Sequence, residues 1–369
     1  MSESDCYLAF SLAPGIGPKR LSSLLVVTEN AQNAWMANLN IFKLAGIGEK
    51  IYFRFEDFRN KFNVEEYKLK LEKNHVSFVA INNKDYPKLL KQIPDPPTLL
   101  FMRGNSSLLS SQVKNEKDKK ISTLAVVGTR KTSSYGREVT QKIVSELTEF
   151  GITIVSGLAL GIDAIAHKTT IDLNGATIAV LGCGIDCCYP QENLRLYDEI
   201  ISKSGLIVSE YPLLAKSNKG TFPARNRIIA GLARAVLVTE AARDSGSLIT
   251  AAMATKYNRP VFAIPGPITS VGAKGTNFLL KNGATLVTSA QEIIEKLEIS
   301  KTVNTKRLLE HKLTNEEINI LKLLSQQSSS IDEIANDLKM PIYKLIAILS
   351  SLEIKKMIVN IGNQEYRLA

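Results

Sequence analysis

Three short apolar runs decide the fold: TLAVVG at 123–128, TIVSG at 153–157 and TIAVLG at 177–182. Each run is apolar almost throughout instead of alternating, which is typical of parallel strands covered on both faces. Stretches with helical spacing separate the runs, as in YGREVTQKIVSELTEF. The alternation predicts an α/β fold, a Rossmann-like doubly wound and mostly parallel sheet.

The same pattern continues on both sides of these runs. Further predicted strands are VSFVAI (76–81), LLFMRG (99–104), LIVSEY (206–211), AVLVTE (235–240), VFAIPG (261–266) and TLVTS (285–289). The polar and basic stretch 106–120 predicts a surface loop inserted before the strand at 123–128. We therefore assign residues 75–298 to one Rossmann-like domain.

Two smaller modules flank that domain. Residues 1–74 carry LAPGIGPKR at 12–20 and its echo KLAGIGEK at 43–50, which predict a helical, helix–hairpin–helix-like (SAM-like) module. Its Gly-Ile-Gly turns are either plain helix connectors or turns whose backbone N–H groups face a phosphate. Residues 299–312 are a predicted linker, and residues 313–369 predict three helices and a β-hairpin, the pattern of a winged helix.

Composition and charge narrow the function classes. The 369 residues are 44% hydrophobic and 22% charged, without an apolar run near the roughly 18 residues of a membrane span. No secretory signal pattern opens the chain, and four cysteines do not form a disulfide framework, so we expect a cytoplasmic protein. The 46 Lys and Arg against 36 Asp and Glu give a net charge of +10, which admits a polyanionic partner.

The loops after the predicted strands hold the candidate binding residues, because ligands of doubly wound sheets bind at the carboxyl ends of strands. These loops combine small residues with cations: Arg130, Lys131, Lys216, Lys219, Arg225, Arg227, Arg243 and Lys274. Arg225 and Arg227 in FPARNRIIAGL favour phosphate or base contacts, with a solvated pair as the alternative. Phe222 is a candidate platform for an unpaired base. The sequence thus predicts a phosphate-binding groove.

Catalytic and metal-binding motifs are weak by comparison. No P-loop motif occurs, and Cys183, Cys187 and Cys188 lack zinc-site spacing, which favours packing roles. Asp163 and His167 stand four residues apart and could pair, but structural roles at a helix start and in a hydrogen bond are favoured. Ser245 and Ser247 lack a histidine base nearby, so helix capping beside a ligand is the better interpretation.

The order of these motifs resembles one family, the DNA-processing protein A (DprA/Smf) family of bacterial transformation proteins. The matching segments span residues 75–290 and include AVVGTR (125–130), SGLALGIDAIAH (156–167), AVLGCGID (179–186), SEYP (209–212), FPARNRIIAGL (222–232) and SGSLITAA (245–252). The resemblance implies a non-enzymatic protein without cofactor or metal. It would bind and protect incoming single-stranded DNA and help load the RecA recombinase onto it, as a homodimer.

The resemblance also implies which residues contact DNA. They are Gly128, Thr129, Arg130, Ser156, Gly157, Lys219, Phe222, Arg225, Asn226, Arg227, Ser245, Gly246 and Ser247. Two alternatives stay open. One is a Rossmann-like protein that binds or hydrolyses a nucleotide-derived small molecule. The other is a duplex-binding regulator that uses its winged helix, although residues 313–369 carry six basic and seven acidic side chains, a net charge of −1. That balance favours a protein-contact or regulatory role for the tail.

Overall fold

A computed structural model describes residues 1–110, 122–299, 314–325, 328–354, 357–362 and 365–368. They fall into two compact units, Met1–Glu298 and Ile299–Ala369. The predicted linker lies outside the described residues except at residue 299, and so does most of the predicted loop at 106–120. The start of that loop is a short helix, which corrects the loop prediction there.

The first unit is built on one nine-stranded sheet with the order β1-β2-β6-β5-β4-β3-β7-β8-β9. The nine predicted strands are confirmed as Ser77–Ala80 (β1), Leu99–Gly104 (β2), Thr123–Val127 (β3), Thr153–Ser156 (β4), Thr177–Val180 (β5), Leu206–Ser209 (β6), Ala235–Val238 (β7), Val261–Ala263 (β8) and Thr285–Leu286 (β9). The seven strands β6, β5, β4, β3, β7, β8 and β9 are parallel to one another. At one edge of the sheet, β2 pairs antiparallel with both β6 and β1.

The strand order places a topological switch point between β3 and β7. From β3 the chain moves outward through β4, β5 and β6, then crosses to the other side of β3 and continues through β7, β8 and β9. Loops that leave β3 and β7 therefore diverge to opposite sides and leave a crevice between them. The sequence-derived fold class, a doubly wound and mostly parallel α/β sheet, is confirmed.

Both faces of the sheet are buried, as the apolar runs predicted. Neighbouring residues point to opposite faces: Phe101 and Ala179 belong to one buried cluster, and Leu100 and Ile178 to the other. The covering helices are Lys88–Lys91 (α7), Ser107–Ser110 (α8), Ser134–Glu149 (α9), Ile162–Asp172 (α10), Leu194–Ser202 (α11), Thr221–Leu232 (α12), Ser247–Lys256 (α13), Lys274–Lys281 (α14) and Ala290–Lys296 (α15).

Six helices precede the sheet: Glu3–Leu12 (α1), Pro18–Thr28 (α2), Ala31–Met36 (α3), Leu39–Leu44 (α4), Glu49–Lys61 (α5) and Val64–Lys73 (α6). The tight turns predicted at the two Gly-Ile-Gly segments are confirmed, since Gly15 and Gly46 adopt φ of +80° and +72°. Side chains of these helices belong to the same buried cluster as Phe101 and Ala179. The division between residues 1–74 and 75–298 therefore stays a prediction from sequence pattern.

The second unit contains three helices and a small sheet. The helices are Asn315–Leu324 (α16), Ile331–Asp337 (α17) and Ile342–Ile354 (α18), and the strands are Ser329–Ser330 (β10), Ile358–Gly362 (β11) and Glu365–Leu368 (β12). Thr314 and Ser330 form capping boxes with the glutamates three residues later, and these boxes fix the starts of α16 and α17. The winged-helix pattern is confirmed, with β10 as an additional strand paired to β12.

Candidate nucleic-acid interface

A groove of about 970 Å³ lies at the carboxyl ends of β3 and β7, at the switch point. A smaller cavity of about 310 Å³ adjoins it and shares Arg130, Tyr189, Phe222 and Arg225. The larger groove is lined by the loops after β3 and β7, the start of α12 and the segment 270–272, together with Ala159, Asp163 and Tyr189 from the segments after β4 and β5. The structure therefore brings most of the predicted loops to one edge of the sheet.

The turn after β3 presents Arg130 at the groove edge. Thr129 donates its backbone N–H to the carbonyl of Glu240 at 2.7 Å, which ties this turn to the end of β7. Gly128 permits the close approach, because a Cβ there would lie 2.5 Å from Ile162 and 2.7 Å from the same carbonyl. The backbone is thus fixed while the Arg130 side chain remains exposed.

Arg130 lies over an aromatic face. Its guanidinium carbon is 5.7 Å from the centroid of the Phe222 ring, within cation–π range. The Tyr189 ring packs against the Phe222 ring, with the centroids 5.2 Å apart and the planes tilted by 39°. Phe222 is half-buried and Tyr189 is 48% exposed. Two rings and a guanidinium plane that remain accessible form a surface on which an unpaired base can stack.

Lys219 precedes α12 and Asn226 lies in its second turn, and both residues line the groove. Lys219 is exposed in the loop before the helix and lines the groove. Asn226 is half-buried, lines the same groove and donates its Nδ2 to the carbonyl of Gly246 at 3.4 Å. The predicted placement of both residues on one groove agrees with the structure.

The turn after β7 closes the opposite side of the groove. Gly246 is the N-cap of α13, and the Oγ atoms of Ser245 and Ser247 lie 2.8 Å apart. Ser245 Oγ also accepts the backbone N–H of Ser247 at 3.4 Å, but no side chain caps α13, so the prediction of helix capping by these serines is wrong. The positive end of the α13 dipole and these two hydroxyls face the groove, an arrangement suited to a phosphate oxygen.

Ser156 lines neither cavity, and Gly157 lines only the smaller one. Ser156 is fully buried and donates its Oγ to the carbonyl of Val126 at 2.6 Å, so its side chain is engaged inside the protein and its DNA contact stays a prediction. Gly157 lines the smaller cavity and donates its N–H to Asp163 Oδ2 at 3.1 Å. A Cβ at Gly157 would lie 1.9 Å from Arg225 Nη1, which explains the glycine.

Arg225 lies beneath the groove with only 4% of its surface exposed. Its Nη1 donates to the carbonyl of Val180 at 2.6 Å, and no described residue accepts from its Nε. Burial lowers the pKa of Arg225 and raises the pKa of Asp163, and attraction between the two charges opposes both shifts. The sequence placed Arg225 on the rim; the structure makes it a buried cation that lines both cavities from below.

Arg227 does not reach the groove, which corrects the prediction for that residue. It is 7% exposed, its Nη2 forms an ion pair with Glu210, and its Nε lies 3.7 Å from Asp95 Oδ2. Two residues along a helix turn the side chain by about 200°, so Arg225 and Arg227 point to opposite faces of α12. Arg227 therefore compensates a buried carboxylate, and burial raises the pKa of Glu210 despite this partner.

Sequence reasoning missed Tyr189 as a site residue. The tyrosine follows the GCGIDCC segment after β5, and the signal that identifies it is an aromatic residue in a loop at the carboxyl end of a central strand. Glu240 also lines the groove. It is buried and accepts the backbone N–H of Ser133 at 3.0 Å, so its carboxylate holds the loop that precedes α9.

The weak motifs have structural roles. His167 accepts or donates a hydrogen bond with Thr177 Oγ1 at 2.7 Å, and burial lowers its pKa to about 3, which confirms the structural interpretation. Asp163 stands in the first turn of α10, as predicted. Cys183 and Cys188 are buried and unpaired within the core. Across the described residues, no group of three His, Cys, Asp or Glu is arranged to hold a metal ion.

The described part of the chain also contains no helix that is long and apolar enough to span a membrane.

A doubly wound sheet with its groove at the switch point defines an α/β protein of the Rossmann type, joined here to a winged-helix unit. The family model for DNA recombination-mediator protein A matches residues 77–298, and that for the DprA winged helix domain matches residues 305–361. The chain therefore belongs to the DprA/Smf family of DNA-processing proteins, which act in recombination and transformation, and the resemblance noted in the sequence is confirmed.

Individual relatives agree with this assignment. The chain is 41% identical to protein Smf of Synechocystis sp. over 297 residues, 80% of this chain and 73% of that protein. It resembles the structure of DprA from Streptococcus pneumoniae with a TM-score of 0.67 at 35% identity, covering 79% of this chain and 97% of the other. The DprA structure from Helicobacter pylori matches with a TM-score of 0.53 at 32% identity, over 62% and 97% of the two chains, and describes a single-stranded DNA binding mode of that protein.

Proposed function

We propose that this protein binds single-stranded DNA in the switch-point groove and mediates recombination without itself being an enzyme. The observation that carries the proposal is the accessible stack of Arg130 on Phe222 beside Tyr189. Lys131 and Lys219 are exposed on the same groove and supply charge for the sugar–phosphate chain. Stacking rings next to cations are the features by which proteins hold unpaired polynucleotides with little sequence preference.

The ring positions favour a single strand over a duplex. A base can stack on Phe222 or Tyr189 only after leaving its own stack, which costs little in a single strand and more in a paired duplex. The helix start at Ser247 and the hydroxyl of Ser245 lie on the other side of the groove, within the same cavity, and suit a backbone phosphate. Because these contacts are to the sugar–phosphate chain and to base faces, we expect single-strand binding to be independent of sequence and strongly dependent on salt.

The acidic residues support a binding function. Glu210 is paired with Arg227, and Glu240 accepts the N–H of Ser133, so both carboxylates have structural partners. Phosphodiester hydrolysis usually requires metal-binding carboxylates or an activated nucleophile at the site. The competing proposal, a protein that hydrolyses a nucleotide, predicts turnover of a nucleoside monophosphate that Glu240→Gln abolishes. Such turnover would overturn the non-enzymatic proposal.

Membership of the family extends the proposal to partners and location. We propose that the protein protects incoming single strands, helps load the RecA recombinase and acts in the cytoplasm as a homodimer. Strand β9 is the terminal strand of the described sheet, and its Leu286 is 52% exposed, which leaves an edge available for a second copy. The winged-helix unit has a protein-contact or regulatory role in this scheme.

Fluorescence anisotropy with a labelled oligothymidine tests the central claim. We expect the wild type to bind the single strand more tightly than a duplex of equal length, and Arg130→Ala to weaken single-strand binding by about tenfold because a stacked cationic contact is lost. Arg195→Ala is the matched control, since that side chain is exposed and lies outside both cavities. Wild-type affinity in Arg130→Ala, or equal weakening by the control, would contradict the assignment.

A further inference from the structure

The loop from 211 to 220 joins the end of β6 to α12 and carries Lys219 to the groove. Its first half is held by the loop that follows β5. Gly184 pairs with Tyr211 in an isolated parallel bridge and donates its N–H to the carbonyl of Ala215 at 2.7 Å. A Cβ at Gly184 would lie 2.6 Å from the carbonyl of Pro212, so only glycine allows this approach.

Asp186 holds the centre of that half. Its Oδ1 and Oδ2 accept the backbone N–H of Leu214 at 2.9 and 3.2 Å. Leu214 has φ of +64°, in the left-handed region that is unfavourable for a leucine, and its side chain is 79% exposed. Burial of the side chain therefore does not compensate for the unfavourable backbone conformation. The charge-assisted hydrogen bond that the Leu214 N–H donates to Asp186 offsets this cost.

The second half of the loop is held by its own side chains. Asn218 Oδ1 accepts the N–H groups of Gly220 at 2.8 Å and Thr221 at 3.2 Å, and Thr221 Oγ1 donates back to the carbonyl of Asn218 at 2.9 Å. Lys219 lies inside this turn. The position of Lys219 therefore depends on the backbone path of the preceding segment, which is fixed through Leu214.

We propose that Asp186 is a positioning residue for single-strand binding, which holds the loop conformation that places Lys219 on the groove. This inference rests on the proposed function. It assigns a role in binding an anion to an acidic residue, whose charge by itself would oppose that binding. The two effects have opposite signs, so they can be separated experimentally.

Two substitutions at Asp186 separate position from charge. Asp186→Ala removes the acceptor and should weaken oligothymidine binding by about fivefold, the loss of one hydrogen bond of about 1 kcal/mol. Asp186→Asn keeps an acceptor oxygen for Leu214 and loses the charge, so it should bind as well as the wild type or better. If both substitutions strengthen binding, or if Asp186→Ala binds like the wild type, the positioning role is wrong.

A double-mutant cycle tests whether Asp186 acts on binding through Lys219. In a Lys219→Ala background, Asp186→Ala should add little further loss, because the group that it positions is already absent. Equal weakening in both backgrounds would overturn the inference while leaving the groove intact. If Lys219→Ala and Arg130→Ala both bind like the wild type, the groove assignment fails and this inference fails with it. Asp172→Ala, on an exposed pair with Lys168, is the matched control.

Two further measurements apply if Asp186→Ala does not fold. Leu214→Val places a β-branched residue at a positive φ and should weaken binding, whereas Leu214→Gly adopts this φ freely and should stay within about twofold of the wild type. Equal affinities for these two variants would overturn the inference. Trypsin cleavage after Lys216 and Lys219 provides a readout without DNA: Leu214→Val should be cut faster than Leu214→Gly, and the opposite order would contradict the proposal.

Discussion

The salt dependence of single-strand binding is the sharpest test of the groove. Three cations line it with exposed side chains, namely Arg130, Lys131 and Lys219, while Arg225 is buried beneath it. Binding of a single strand releases about 0.7 counterion for each phosphate that is neutralised. If each exposed cation meets one phosphate, a plot of log K against log salt has a slope of about −2.

Arg130→Ala removes one of these contacts and should reduce the slope to about −1.4. Between 50 and 200 mM salt, the wild-type affinity should then fall by roughly twentyfold and that of the variant by roughly sevenfold. Anisotropy titrations of a labelled oligothymidine at four salt concentrations measure both slopes, with Arg195→Ala as the control. A wild-type slope near zero, or the same slope in Arg130→Ala, would refute the reasoning.

The other predictions concern the ring, the buried ion pair and a buried histidine. Phe222→Ala should cost about 1–3 kcal/mol of single-strand binding because a stacking face is lost, as measured by anisotropy; unchanged affinity would contradict this role. Arg227→Ala leaves Glu210 buried without its partner and should lower the free energy of unfolding by about 3–5 kcal/mol, as measured by urea denaturation. A stability equal to that of the wild type would disprove the pairing. His167 is neutral in the folded protein, with a pKa of about 3 against 6.5 when exposed, so its contribution to stability is present above pH 6.5 and is lost as the pH falls. Between pH 7 and 5 the wild type should lose about 2 kcal/mol more than His167→Gln does, with His75→Gln as an exposed control; equal pH profiles would contradict this.

The recurring apolar runs explain why the sheet could be predicted. A strand buried on both faces is apolar at nearly every position, and that pattern is visible without coordinates. The strands at 123–127, 153–156 and 177–180 formed where the runs predicted them. The antiparallel pairing of β1 with β2 left no such signal, because strand direction depends on connections and not on composition.

The residues of the groove could be predicted in part. Gly128, Arg130 and Ser245 follow strands whose carboxyl ends meet at one edge, so chain order alone brings them together. Tyr189 depended on the packing of its ring against Phe222, which sequence order does not show. The coupling of Asp186 to Leu214 joins two loops that are 28 residues apart and was equally invisible.

The sequence by itself determined the fold class and the loops that bear cations, because apolar runs and helical spacing leave few alternatives. The switch point followed only from the spatial order of the strands. Only the tertiary structure decided what each cation does. Arg130 remains exposed over a ring, Arg225 is buried beneath the groove and Arg227 is paired with Glu210. The three residues have the same chemistry, and their different functions follow from burial and from the direction in which a helix or loop points each side chain.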